Sequence, residues 1–429
     1  MLKRSLILVL LVSALLPARE ARADDCTLVS RSNLAACAVR ASARVAGDRQ
    51  GVKAAEGRRA AAAPWFPSNP LVAVSAARRS ANGEGQGPTV NWTASLAQEV
   101  EIAGQRASRR RAAEADLSAR ANDVVATTRN VAASAYVAYF DVLATRDSLA
   151  LARRLEATGT QVARVTRARA DAGVTSAVDA EVAEAASLRL ARDRLEAERA
   201  HRVASAVLAT LLGRDPRPST ADSVTVTGEL EPLVGTDAVL ASASKGAVVE
   251  RPEMKALRDE ERAHAARAEA FRRAAIPTVT VQLFAQNDGY NERVFGAGVV
   301  LPIPLPQPLG RTYVGEAAES EAFSRQTGSR AEHVARSLAS DLAVAVAGYE
   351  AAKGQAALYT PEKITRTERV IADMATEIEA GRLAVRDAVV AQQHLMDLLR
   401  ARVDARRALS VASVDVALAA GVPIESGTR

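Results

Sequence analysis

Side chains able to do chemistry are few and widely separated in this 429-residue chain. The 4 histidines and 2 cysteines are too few and too scattered for a zinc ribbon or another Cys/His cluster. No histidine has a histidine or cysteine at ligand spacing, so we interpret all of them as solvated or helix-packing residues: His201, His264, His333 and His394. The sequence motifs of nucleophile elbows, phosphate-binding loops, dinucleotide sites and zinc proteases do not occur. The sequence predicts a protein that is not an enzyme and needs no metal or cofactor.

Two aspartates are candidate functional residues because of their positions. Asp179 and Asp387 each lie six residues after a glycine, Gly173 and Gly381. An acid in the first turn of a helix is favoured by the helix dipole. The second interpretation is a ring of carboxylates at the mouth of a helical tube. The residues alone favour the first interpretation.

The overall charge does not indicate nucleic-acid binding. The net charge is +6, but basic and acidic residues alternate along helix-like stretches such as 194–202, as on a solvated, salt-bridged helix surface. The densest basic run, 109–111, lacks the interleaved aromatic residues of a single-strand binder. Aromatic residues make up only 3% of the chain, whereas alanine, arginine, glutamate and leucine fill long stretches. This composition is typical of extended helices.

The first residues predict export. Lys3 and Arg4 precede an apolar run at 5–16, and residues 21–23 form an A-x-A cleavage site. We therefore expect a signal peptide at 1–23. No later stretch approaches 18 consecutive apolar residues, so the mature chain is predicted to lack a transmembrane helix.

Cys26 follows the expected cleavage site without a lipoprotein signal, because residues 23–25 are Ala-Asp-Asp rather than small and apolar. We therefore predict no N-terminal lipid. Cys26 and Cys37 can form a disulfide in an oxidising compartment if a turn separates them. On one continuous helix, eleven residues at about 1.5 Å each would hold them too far apart. Both possibilities stay open.

The sequence contains an internal duplication. Residues 70–74 resemble 277–281, and residues 172–180 match 380–388, at offsets of 207 and 208. A nearly constant offset along most of each half indicates a duplicated unit. We place the two structural repeats at 24–230 and 231–429.

Each repeat follows one plan. A helical stretch comes first, roughly at 33–62 and 236–275, and two short strand-like segments follow around a Gly/Asn-rich loop at 82–87 or a turn beginning at 287. The strands alternate apolar and polar residues, which fits a half-buried hairpin or transmembrane barrel strands equally well. In a barrel, Val90, Trp92, Val279 and Val281 would face lipid, and Thr93, Thr280 and Gln282 the lumen.

Two very long helices complete each repeat. No proline occurs between Pro88 and Pro216. A helix from Gly104 to about Asp171 would run roughly 100 Å, longer than an ordinary globular domain. Apolar residues recur at three- and four-residue steps, so two such helices bury each other best as an antiparallel pair that reverses at the Ala-Gly segment.

These features resemble the TolC-like outer membrane efflux proteins over essentially the whole mature chain. The segments that carry the resemblance are Arg251-Pro252-Glu253 with Ala256-Leu257, Ile276-Pro277, Leu211-Leu212-Gly213, and the two segments from Gly173 to Asp179 and from Gly381 to Asp387. Residues 98–106 and 300–305 look most like the heavy-metal branch, of the cobalt-zinc-cadmium type.

The resemblance implies a mainly α fold with a membrane β-barrel portion. Long antiparallel helical hairpins would form a periplasmic tunnel, and four strands per chain would complete a 12-stranded barrel in a homotrimer embedded in outer membrane lipid. Because about eight strands are needed to enclose even packed side chains, four strands of one chain cannot close a barrel. The helical tips, Gly173-Val174 and Gly381-Arg382, would dock a periplasmic adaptor linked to a proton-driven inner-membrane pump.

In the family, acidic residues near the tips form a cation-selective constriction, and Asp179 and Asp387 match those positions. A further family acid falls on Val390 here, so the constriction should carry less charge. The implied function is a passive exit duct of a tripartite efflux system for divalent heavy-metal cations. Drugs or other small organic compounds are the alternative cargo. A periplasmic coiled-coil scaffold without a pore is the alternative class.

Overall fold

The structure is a computed structural model that describes residues 26–80, 87–216, 224–233, 236–243, 251–287, 292–422 and 424. The expected signal peptide, residues 82–86 of the first strand loop and Asp288-Gly289 of the second turn lie outside the described residues.

Long helices dominate the described chain. In chain order the elements are β1 (Leu28–Val29), α1 (Leu34–Ala41), α2 (Ala43–Ala61), β2 (Leu71–Arg79), β3 (Thr89–Val100), α3 (Gln105–Asp171), α4 (Ala177–Leu211), β4 (Thr225–Val226), α5 (Thr236–Ala243), α6 (Pro252–Ala274), β5 (Val279–Asn287), β6 (Arg293–Val300), α7 (Val314–Ala357), α8 (Pro361–Glu379) and α9 (Val385–Ala419). The predicted helix that begins after Gly104 and ends near Asp171 is confirmed as α3, a helix of 67 residues.

Three predicted helical stretches are interrupted. The stretch at 236–275 contains α5 and α6, and Arg251 between them has extended backbone (φ −67°, ψ 140°) before Pro252. The stretch at 33–62 divides at Ser42, which has extended backbone (φ −70°, ψ 112°) and accepts a hydrogen bond from the Val45 backbone nitrogen at 3.3 Å, capping α2. The first long helix of the second repeat stops at Ala357, and α8 begins at Pro361. Proline lacks the N–H that would continue a helix but suits its first turn, so a break is placed before it.

The four longer strands form one antiparallel sheet of order β2-β3-β5-β6. The predicted hairpins are the β2–β3 and β5–β6 pairs, and β3 pairs with β5 to join the two hairpins. Separately, β1 pairs with β4 in parallel.

The densest core surrounds the middle of α3, where Tyr136, Tyr139 and Phe140 are about 1% exposed. The Tyr136 hydroxyl donates to the Arg31 carbonyl at 2.9 Å, and the Tyr139 hydroxyl donates to the Thr227 carbonyl at 2.7 Å. Burial raises the pKa of both phenols, which therefore stay neutral donors. These two bonds tie β1 and β4 to the long helix.

The cysteine pair is a disulfide. A turn at 31–33 separates the two cysteines, and their Cα atoms lie 5.9 Å apart. The Asn33 side chain fixes that turn by accepting from the Ser30 backbone nitrogen at 2.8 Å. The turn supplies the reversal that a continuous helix would have forbidden.

Candidate functional site

The sheet has one apolar and one mixed, more polar face. Directly paired residues of neighbouring strands share a face, and faces alternate along each strand. The pairs Trp92–Asn287 and Val281–Gln98 place the four residues expected to face lipid on one side, and Thr93–Gln286 and Thr280–Glu99 place the three expected lumen residues on the other. The apolar face carries exposed side chains from all four strands: Val72, Val74, Val90, Trp92, Leu96, Val281, Leu283, Phe295 and Val299.

Phe284 breaks the alternation, and the pairing explains how. It lies on the more polar face opposite Gly296 of β6. A Cβ atom at Gly296 would come within 2.4 Å of the Phe284 ring. The glycine therefore leaves the space that the phenyl ring fills.

The first helical reversal is built around Gly173. The residue has φ +72°, a left-handed conformation that glycine adopts without a Cβ penalty. Gly173 donates to the Ala170 carbonyl at 3.0 Å and Val174 to the Arg169 carbonyl at 2.9 Å, which closes α3. Ser176 then caps α4 by accepting from the Val178 backbone nitrogen at 3.1 Å.

The second reversal repeats this backbone geometry at Gly381, again with φ +72°. Gly381 donates to the Ile378 carbonyl at 3.0 Å and Arg382 to the Glu377 carbonyl at 3.0 Å. The predicted tips are therefore two turns of the same construction. Their docking role stays a prediction.

Asp179 and Asp387 both lie in the first turn of a helix, α4 and α9. Asp179 is half-buried and accepts a hydrogen bond from the Thr175 hydroxyl at 3.1 Å, whereas Asp387 is exposed. Val390, where the family has a further acid, is 49% exposed one turn later. This placement fits a helix-start acid and a charged mouth alike.

The structure holds the two tips together. One apolar cluster just behind the turns takes residues from all four helices: Val162, Ala183, Ala375, Ile378, Val385 and Ala388. At the ends of the helices, Arg169 of α3 donates to the Glu379 carbonyl of α8 at 2.6 Å. Asp179 and Asp387 thus lie in the first turns of two helices, α4 and α9, that pack in the same cluster.

Sequence reasoning missed Glu377. Arg382 donates to both carboxylate oxygens of Glu377 at 2.7 Å, across the second turn. These hydrogen bonds lower the pKa of Glu377 and raise that of Arg382. Opposite charges on either side of a helix-ending glycine were the available signal.

The Arg251-Pro252-Glu253 segment has a structural role. Arg251 donates to the Ala419 carbonyl at 2.9 Å, and Arg129 donates to the Leu418 carbonyl at 2.9 Å. Both cations therefore meet the negative end of the α9 dipole. Glu253 lies 3.7 Å from Arg129 and 3.4 Å from Arg251. The segment fixes the start of α6 to the end of α9.

For two histidines the structure confirms the helix-packing interpretation. His201 Nδ1 lies 3.2 Å from the Thr145 hydroxyl, and burial lowers its pKa. The His264 ring centroid lies 5.5 Å from that of Phe323. Over the described ranges, no three His, Cys, Asp or Glu side chains gather as ligands for a metal ion.

Within those same ranges, no helix is both long enough and apolar enough to cross a membrane.

Part of the chain is similar to one protein family. Residues 42–214, from the start of α2 to just beyond α4, match the family described as outer membrane efflux protein. This segment carries the sequence signature of that family. Proteins of this family are passive channels, and the prediction of a non-enzymatic protein is confirmed on that ground.

Protein CyaE of Bordetella pertussis is 30% identical over 314 residues, which span 70% of this chain and 64% of CyaE. The crystal structure of the outer membrane protein VceC from Vibrio cholerae matches with a TM-score of 0.69 at 18% identity, covering 91% of this chain and 96% of VceC. CusC matches with a TM-score of 0.67 at 14% identity, covering 95% and 96%. Likeness at this identity establishes the fold and does not distinguish a heavy-metal branch.

Proposed function

We propose that this chain is the outer membrane exit duct of a tripartite efflux system, working as a homotrimer without catalysis. The observation that carries the proposal is the exposed apolar face of the four-stranded sheet. Phe295 and Val299 on that face are 77% and 70% exposed. An apolar surface of this kind is stable against lipid or another protein but not against water.

The sheet also needs partners at its edges. Its outer strands are β2 and β6, and an open sheet edge is not tolerated in lipid, because unpaired backbone groups have no water to bond. Three chains would close twelve strands into a barrel by pairing β6 of one chain with β2 of the next. The more polar face would then line the lumen.

The helical hairpins would continue the duct through the periplasm to an adaptor protein, which connects to a proton-driven inner-membrane pump. The tips offer a suitable surface, because Val174 is 62% exposed and a Cβ atom at position 173 would meet no described residue beyond its chain neighbours within 4 Å. The three copies of Asp179 and Asp387 would surround one axis and create a negative potential that favours cations.

For the cargo we propose divalent metal cations. The support is the likeness of residues 98–106 and 300–305 to the heavy-metal branch, together with the acids at the mouth. Small organic compounds are the second candidate, favoured by an apolar cavity in the duct wall described below.

A matched pair of arginines tests the membrane-embedded duct against a pore-free scaffold. Val281 and Gln282 are neighbours on β5 but lie on opposite faces. Val281→Arg at mid-bilayer should reduce stability by about 2–4 kcal/mol, and Gln282→Arg should cost much less. The measurement is the urea midpoint of folding into vesicles. Equal urea midpoints for the two variants would contradict the barrel assignment.

Conductance tests the charged mouth. Asp179→Asn with Asp387→Asn keeps side-chain size and removes two negative charges per chain. We expect a lower preference for cations and weaker block by multivalent cations in single-channel recordings, with unchanged trimer stability. Unaltered ion selectivity would leave both aspartates as ordinary helix-start residues.

A further inference from the structure

A cavity of about 800 Å³ lies where the sheet meets the helices. Its walls come from the ends of α2 and α6, from the start of α3 and from residues 302–313. The volume falls within the range of sites for drug-sized molecules, roughly 300–1,000 Å³. Phe271 and Tyr313 stack on one side with ring centroids 6.4 Å apart, and Ile276, Ile303 and Leu305 add apolar surface.

Every arginine of the cavity wall is already paired with a carboxylate. Arg58 and Arg267 contact Asp116 at 2.6 and 3.5 Å, and Asp116 is 7% exposed. Arg311 contacts Glu316 at 2.9 Å. Arg109 contacts Glu101. Because each of these arginines already forms an ion pair, the cavity does not present a free positive charge to an anion.

Glu101, just before α3, also lines the cavity, and only one of its two carboxylate oxygens is paired within the described residues. Its side chain is 7% exposed, and one oxygen accepts from Arg109. The other oxygen, Oε2, is buried and receives no hydrogen bond from any part of the chain that the structure describes. A buried acceptor without a partner is costly, so a donor supplied by a ligand would be favourable here.

We propose that this cavity binds an amphipathic organic amine. Its ammonium group donates to Glu101 Oε2, and its apolar body lies against Phe271 and Tyr313. This is a ligand site in the wall of the molecule, and it does not depend on which cargo crosses the lumen.

Fluorescence titration of the purified full-length protein in detergent tests the proposal. The probe is a dansylated alkyl diamine with one free ammonium, and the control ligand is the same compound with that amine acetylated. We expect the acetylated compound to bind about tenfold more weakly. Equal affinity for the two compounds, or tighter binding of a dansylated carboxylic acid, would overturn the proposal.

Variants assign the effect to this cavity. Glu101→Gln should weaken amine binding about tenfold. Glu114→Gln makes the same change on α3 at an exposed acid paired with Arg110, and it should leave binding unchanged. Ala274→Phe fills the cavity without altering charge, and binding should be lost.

Unchanged binding by Ala274→Phe would place the probe elsewhere and refute the site. If Glu101→Gln fails to fold, as judged by circular dichroism, Ala274→Phe and the acetylated probe still decide. Conductance of the same preparation reports on the duct separately, so amine binding and the proposed channel can fail independently.

Discussion

The two helical hairpins have the same backbone reversal but different side-chain support. In the first hairpin, α3 and α4 meet at Gly173, and Ser176 caps the returning helix. In the second, α8 and α9 meet at Gly381, and the returning helix starts after Ala384 without a side-chain cap. There the Glu377–Arg382 pair spans the turn instead. The common requirement is the left-handed glycine, whereas the local hydrogen bonds are interchangeable.

The helices that lead to the two turns also differ. α3 runs unbroken for 67 residues, while its counterpart divides into α7 and α8 around Thr360. Thr360 accepts a hydrogen bond from the Lys363 backbone nitrogen at 3.5 Å. A single proline therefore distinguishes the divided pair α7 and α8 from the continuous helix α3.

The largest expected effect comes from transferring the break. Arg153 is exposed on α3, 208 positions before Pro361. Arg153→Pro should lower the free energy of unfolding by about 3 kcal/mol or more, because it removes a hydrogen bond and clashes with the preceding turn. Urea unfolding followed by circular dichroism measures this loss, with Arg153→Ala as control. A proline tolerated as well as alanine would mean that α3 has no need of continuity.

The turns should respond equally to loss of glycine. Gly173→Val and Gly381→Val should each cost about 1–2 kcal/mol, since a β-branched residue resists the left-handed conformation. A Cβ at Gly173 meets nothing within 4 Å, and one at Gly381 meets only the Arg169 guanidinium at 3.7 Å, so the cost is conformational rather than steric. Asparagine at either position should restore most of the stability. Binding of the adaptor should weaken, while cross-linking should still detect trimers. Loss of trimers with unchanged adaptor binding would show that these turns are not the docking tips.

Exchanging the cap should make the two hairpins more alike. Ser176→Ala should cost about 1 kcal/mol, because the Val178 N–H loses its acceptor. Ala384 already has the extended backbone of a cap residue (φ −69°, ψ 140°), so Ala384→Ser should gain stability at the second turn. Thermal unfolding of the two variants and of the pair checks this. A serine that fails to stabilise position 384 would show that the turns differ in more than the cap.

The smallest effect concerns the exposed pair at the second turn. Its hydrogen bonds hold the pKa of Glu377 below the ordinary value of 4.5. A depressed folded-state pKa means that the contribution to stability is present above about 4.5 and is lost as pH falls through the folded value. Arg382→Ala should therefore lower the urea midpoint slightly near pH 7 relative to the parent chain and flatten its pH dependence in that acidic range, and Arg382→Gln should behave alike. An Arg382→Ala profile that stays parallel to that of the parent chain as the pH falls through 4.5 would exclude the pair as the source of this dependence.

Much of the fold was predictable because its signals are local. The absence of proline between 88 and 216 allowed one long helix, and Gly173 and Gly381 marked the turns. The alternation around Trp92 and Val281 gave the two faces of the sheet. The second-repeat break at Pro361 carried an equally local signal, a proline at the first position of a helix, which the interpretation of that segment as one helix overlooked.

The candidate site was predictable only in part. Asp179 and Asp387 were found because they occupy equivalent positions in the matching segments 172–180 and 380–388. Their electrostatic surroundings could not be predicted, because the Arg169–Glu379 contact joins residues 210 positions apart. The cavity around Glu101 gave no sequence signal, since its walls come from four separate segments.

The residues alone were enough to predict the long helices, their turns and the alternating strands, because each depends on the conformational preferences of neighbouring residues. The packing of the whole chain was needed to show that β3 pairs with β5, that Cys26 meets Cys37 across a turn, and that Arg129 and Arg251 bind the end of α9. Such contacts depend on where distant segments are brought together by the burial of a shared core. Local preferences specify the shape of each segment, but packing against the whole chain selects its partners.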